Sequence, residues 1–108
     1  MLILNFTKYN TNNGIKGLLT VTDNTNNLEI YIDNNTFKVN TNVVETVTLN
    51  STDVYTLKID FQTNQIQLIN NTNETTILTY THNVNFNYST PLKVRIGDGI
   101  TIKSTTVT

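Results

Sequence analysis

The stretch Tyr55-Thr56-Leu57-Lys58-Ile59-Asp60-Phe61 decides the fold class. Tyr55, Leu57, Ile59 and Phe61 fall on every second position, and Thr56, Lys58 and Asp60 fill the places between. A period of two puts one set on a buried face and the other towards solvent, as in a half-buried strand. A short polar turn at Thr63-Asn64 follows, and Ile66 and Leu68 resume the alternation. Two such runs joined by a short polar turn make a hairpin.

The same pattern extends in both directions. Upstream, Leu2, Leu4 and Phe6 share one face of a first strand, and Asn10 to Gly14 reads as a turn. Ile15, Gly17, Leu19 and Val21 alternate next. Leu28, Ile30 and Ile32 then point one way, with Glu29, Tyr31 and Asp33 the other way. Phe37 and Val39 follow, then Val43, Val47 and Leu49, with Glu45 interrupting the face. Downstream come Leu78 and Tyr80, then Val84, Phe86 and Tyr88. Pro91 opens a strand of Leu92, Val94 and Ile96, where a missing N–H is tolerated. Gly97-Asp98-Gly99 reads as a tight hairpin turn into Ile100 and Ile102. The tail from Ser104 to Thr108 is weakly apolar, a composition expected to fray.

Composition agrees with this pattern. The chain has 108 residues, among them 19 Asn and 22 Thr, and no Ala, Cys or Trp. Val, Ile and Thr together number 42; their branched side chains lose rotamer freedom in helices and fit a pleated sheet. About ten short strands with turns every 8 to 12 residues predict one all-β domain over residues 1–108. The expected architecture is an antiparallel β-sandwich or jelly roll.

Residues 53 to 103 resemble the concanavalin A-like, or laminin G-like, jelly roll. The resemblance is carried by the strand Tyr55 to Phe61 and the hairpin Asn64-Gln65-Ile66-Gln67-Leu68. A third stretch is Pro91-Leu92-Lys93-Val94-Arg95-Ile96-Gly97-Asp98-Gly99. It implies a sandwich with a glycan-facing surface. It lends no catalytic residue, because the Glu-x-Asp-x-x-Glu motif of the related glycoside hydrolases does not occur.

Several function classes are excluded or weakened by charge and residue type. Seven basic residues against eight acidic ones give a net charge of −1, without the clustered cations that neutralise phosphates, so no nucleic-acid partner is expected. No apolar run reaches the roughly 20 residues of a membrane-spanning helix. The opening Met1-Leu2-Ile3-Leu4-Asn5 has too short an apolar run, and no basic leader, for a secretory signal. Without cysteine there are no disulfides or thiolate metal sites, and one histidine, His82, is a poor basis for zinc. His82 itself is expected at the surface or in a turn. Glu29 and Asp33 share a strand face about 13 Å apart at roughly 3.3 Å per residue, too far for a retaining carboxylate pair. The Asp23 and Asp98 loops lack EF-hand spacing. No enzyme activity, cofactor or metal is therefore expected.

Three groups of residues remain as sites. Leu2, Leu4 and Phe6 form an apolar strand that would invite pairing with another copy if it lay at a sheet edge. Tyr31, flanked by Glu29 and Asp33, forms a glycan face. Six Asn-x-Ser/Thr sequons start at Asn5, Asn34, Asn50, Asn70, Asn73 and Asn87, against about four expected from this composition. Charged residues make up only 14% of the chain, and a near-neutral polar surface suits dense packing of identical copies. These features lead to an expected role as a structural subunit of, or decoration on, a virus or phage particle or an extracellular filament. Its partner would be itself or another structural protein, at the virion or extracellular surface. The alternative is a carbohydrate-binding, lectin-like module.

Overall fold

A computed structural model describes residues 1–8 and 15–108, the side chains of residues 15 and 16 excepted. Among these residues there are ten strands and no helix. They are β1 (Leu2–Lys8), β2 (Ile15–Thr22), β3 (Asn27–Asp33), β4 (Thr36–Val39), β5 (Asn42–Thr46), β6 (Val54–Asp60), β7 (Gln65–Asn70), β8 (Thr75–Thr81), β9 (Lys93–Ile96) and β10 (Ile100–Val107). They form two five-stranded sheets, β10-β1-β6-β7-β8 and β5-β4-β3-β2-β9. Every pairing is antiparallel. The expected antiparallel sandwich is present. The turn expected at Asn10 to Gly14 lies outside the described residues.

Alternation places the core between the sheets. Leu2, Leu4 and Phe6 face inward beside Tyr55, Leu57 and Ile59, and all six are buried. The second sheet contributes Leu19, Val21, Leu28, Ile30, Ile32, Phe37 and Val39. The Phe6 and Tyr55 rings stack with centroids 5.8 Å apart. The buried Tyr55 hydroxyl accepts the Asn50 N–H at 2.9 Å, so its polar end is satisfied.

The structure departs from the sequence pattern in several places; Val43, for one, is exposed while Val47 and Leu49 are buried beyond the end of β5. In β2 the register slips between Gly17 and Leu19, so Leu18 and Leu19 are both buried; this bulge breaks the expected alternation. Val84, Phe86 and Tyr88 lie outside any strand, although Phe86 is buried. The tail expected to fray is instead paired with β1 through most of its length. Finally, Gly97-Asp98-Gly99 does not turn a hairpin, because β9 and β10 belong to different sheets. It is a corner that crosses the sandwich.

That corner requires glycine. The Gly97 N–H donates to the Leu18 carbonyl and the Gly99 N–H to the Gly17 carbonyl. A Cβ at Gly97 would lie 2.1 Å from the Gly17 carbonyl, whereas one at Gly17 would come no nearer than 3.3 Å to Gly97. Gly97→Ala should therefore destabilise the protein by about 3 kcal/mol, at the upper end of overpacking costs. Gly17→Ala should cost clearly less. Urea denaturation of both variants measures the difference, and equal costs would contradict the reading.

Candidate functional site

The order of strands defines two sides of the sandwich. β9 and β10, joined by the glycine corner, form the edges on one side. β5 and β8 form them on the other, where the Asn42 side-chain amide donates to the Tyr80 hydroxyl. β1 lies at neither edge. It is hydrogen-bonded to β10 on one flank and β6 on the other, and Leu2, Leu4 and Phe6 are in the core. The assembly strand expected at Leu2, Leu4 and Phe6 is thus corrected: the free edge beside it belongs to β10. The sequence could not reveal this, because β10 returns to β1 from the far end of the chain.

The β9–β10 side is unusually apolar. Six large apolar side chains are exposed among the described residues: Met1, Val43, Tyr88, Val94, Ile102 and Val107. Met1, Tyr88, Val94 and Val107, with Leu2, Phe61 and Leu92, line an open cleft of about 340 Å³ there. Ile102 lies on the same edge strand as Val107. Register explains the exposure. Val107 and Ile102 pair with Leu2 and Phe6 and so project from the inward face of their sheet. The opposing sheet ends in the four-residue β9 and leaves them uncovered, Val107 at 74% and Ile102 at 44%. Lys93, Arg95 and Lys103 are exposed around this side.

A polar groove of about 580 Å³ lies elsewhere, where the β2–β3 turn, the β4–β5 turn and residues 83–85 meet. Tyr31 and Glu29 line it together with Asn26, Asn27, Asn40, Asn83 and Asn85. The Tyr31 hydroxyl donates to the Asn40 carbonyl at 2.6 Å, which fixes the half-buried ring. Asn40 has φ 55°. Its side chain accepts the Glu29 N–H at 2.8 Å and donates to the Asn27 carbonyl at 3.3 Å, extending β4 by side-chain bonds. Asp33, expected beside Tyr31, does not join this groove. It pairs with Lys38 at 3.4 Å, and it meets Glu29 and Tyr31 in a neighbouring depression that Gly17 and Thr20 also border.

Asp23 secures the groove wall. Its carboxylate is buried and accepts N–H groups from Thr25, Asn26 and Asn87 at 2.9, 2.5 and 2.7 Å, and the Asn26 side-chain amide at 2.9 Å. These bonds, led by the Asn26 side chain, hold its pKa well below the ordinary carboxylate range. They also occupy its oxygens, so the Asp23 loop is a latch onto the 82–90 segment. His82 anchors the start of that segment. Contrary to expectation it is buried, packed edge-to-face against Phe86 with centroids 6.3 Å apart. Its Nδ1 accepts the Val84 N–H at 3.1 Å, and its Nε2 has no protein partner among the described residues. Burial pushes the His82 pKa below its ordinary value.

The sequons divide by hydrogen bonding. Asn5 donates to Ser104 and accepts from Thr56 and Asn71, so its amide is engaged. Asn70 is buried, donates to Asp53 and accepts from the N–H groups of Thr72 and Asn73. Asn34, Asn50, Asn73 and Asn87 are exposed, although Asn50 also donates to Asp53. The bonds from Asn50 and Asn70 lower the Asp53 pKa in turn. Among the described residues no three His, Cys, Asp or Glu side chains converge as a metal site would require.

Comparison with known protein families, curated proteins and solved structures gives no match. The groove asparagines were readable only in part. Asn83, Asn85 and Asn87 occupy the alternate positions of the Val84-Phe86-Tyr88 run, which marks an outward amide face, but the turns that meet them are distant in sequence.

The three depressed pKa values act at two ends of one pH profile. A group whose folded pKa is lowered binds protons more readily when unfolded, so its stabilisation is lost as pH falls. His82 contributes fully above its unfolded value of 6.5 and progressively less below it. Asp23 and Asp53 act only below the ordinary carboxylate value of 3.8. The melting temperature should fall by a few degrees from pH 7.5 to 5.5, then again below pH 4. His82→Gln should flatten the first step and leave the second, as thermal melts across pH would reveal.

Proposed function

We propose that this chain is a non-enzymatic structural subunit, part of or a decoration on a virus or phage particle or an extracellular filament, and that it docks onto copies of itself. The observation that supports this most directly is the gathering of Met1, Tyr88, Val94, Ile102 and Val107 on the β9–β10 side. Exposed apolar groups scattered singly need no explanation, but a contiguous set on one side marks an interaction surface.

Charge favours a second copy as the occupant. Lys93, Arg95 and Lys103 surround the apolar side, while Glu45 and Glu74 are exposed on β5 and beside β8 on the opposite side. The remaining exposed large apolar residue, Val43, is also on β5. A head-to-tail contact would match cations with carboxylates and Val43 with the apolar side. Such a contact is heterologous and builds rings or open filaments according to its rotation. Lys103 sits at the β10 bulge and Glu45 stands opposite core-facing Phe37. Charges so placed obstruct indiscriminate edge pairing and select an oppositely charged partner. A net charge of −1 leaves little mutual repulsion between copies.

Sedimentation across a concentration series, with electron microscopy of the same samples, tests this. The wild type should associate and form rings, filaments or particles. Val94→Asp with Val107→Asp, both at exposed positions, should leave a folded monomer. Glu45→Lys should weaken association and Arg95→Glu with Lys103→Glu should restore it. A wild-type monomer at every concentration, or association indifferent to the paired Asp substitutions, would overturn the proposal.

A further inference from the structure

The asparagines themselves point to a second site. Asn5, Asn26, Asn40, Asn42, Asn50, Asn70, Asn71 and Asn87 use their side chains in internal hydrogen bonds. Asn24, Asn34, Asn35 and Asn64 occupy left-handed backbone positions, where asparagine is favoured over most residues. Asn73 lies in the β7–β8 turn, next to left-handed Glu74. Side-chain bonds or left-handed backbone thus account for all but four of the described asparagines, Asn27, Asn73, Asn83 and Asn85. Three of the four, Asn27, Asn83 and Asn85, line the groove beside Tyr31.

We infer that this groove binds a neutral saccharide chain. Each of these amides, without a side-chain bond among the described residues, offers a donor and an acceptor, the pair that neighbouring sugar hydroxyls require. Tyr31 supplies the apolar surface against which the C–H face of a sugar ring packs. Its ring borders depressions on both flanks, and the bond to Asn40 holds its orientation before any ligand arrives. Glu29 adds an exposed carboxylate, and no lysine or arginine lines the groove itself, although Lys93 and Arg95 line the adjoining depression that shares Asn27 and Glu29 with it; the groove thus offers an acidic sugar no cation of its own. The volume, about 580 Å³, lies within the range of small-molecule sites. Asp23 acts as a positioning residue, because its bond to the Asn87 N–H ties down the segment carrying Asn83 and Asn85. This inference does not rest on self-assembly: the groove and the apolar side use different residues.

The test is an amide-resolved NMR titration of the full chain. The probes are cellohexaose, chitohexaose and maltohexaose, neutral hexasaccharides of different linkage or sugar, with a sialylated oligosaccharide as the acidic counterpart. At least one neutral probe should give saturable shifts centred on Asn27, Tyr31, Asn83 and Asn85. Tyr31→Ala should weaken that binding roughly tenfold, while Tyr31→Phe, which keeps the ring, should weaken it less. Asn83→Ala with Asn85→Ala, outside every strand, should weaken it without changing the circular dichroism spectrum. Absence of saturation by all neutral probes would overturn the inference. So would preference for the sialylated probe, or binding unchanged in the Tyr31→Ala and double asparagine variants.

Discussion

The pairing of β1 with both β6 and β10 governs the rest of the structure. It joins the first and last strands of the chain and puts Leu2, Leu4 and Phe6 at the middle of the core. Because β1 takes the interior position, β10 must take the edge, and its inward residues run past the short β9 opposite. The apolar side at Val94, Ile102 and Val107 is therefore a consequence of topology. It is not a defect in hydrophobic patterning, since each of those residues sits on a face that alternation assigns to the interior. Such long-range closure carries an entropic cost in folding, as non-local pairing does generally.

Asparagine does much of the work that charged residues do elsewhere. Asn40 substitutes for a strand residue at the end of β4, and Asn5, Thr56 and Asn71 form a hydrogen-bonded cluster outside the first sheet. Asn50 and Asn70 converge on Asp53, and Asn26 helps to hold Asp23. Short amide side chains suit this use because each both donates and accepts and loses little rotamer freedom. The composition that the sequence presents as a near-neutral polar surface is thus partly a set of fasteners.

The sequence carried the alternation of β3 and β6 plainly, because each strand has one apolar and one polar face. It carried less where two signals compete. Leu18 and Leu19 cannot both face inward on a regular strand, and only the bulge at Gly17 reconciles them. The glycine corner resembles a hairpin locally, and the sheet each flanking strand joins is decided by distant partners. The placement of β1 away from an edge, the burial of His82, and the meeting of Asn83 with Tyr31 depend likewise on contacts far apart in the chain. Glu29, Tyr31 and Asp33 were readable as outward residues of one strand and do border one depression, but that only the first two also reach the groove depends on distant turns.

The most direct test of the account is amide hydrogen exchange, followed strand by strand in dilute protein and in protein concentrated enough to associate. The β1 amides should be protected in both samples, while the outward-facing edge amides of β10 and β9 should gain protection only on association. Slow exchange of the β9 and β10 edges at both concentrations would contradict this. So would β1 amides that exchange freely when dilute and become protected on association, the signature of a strand donated between copies.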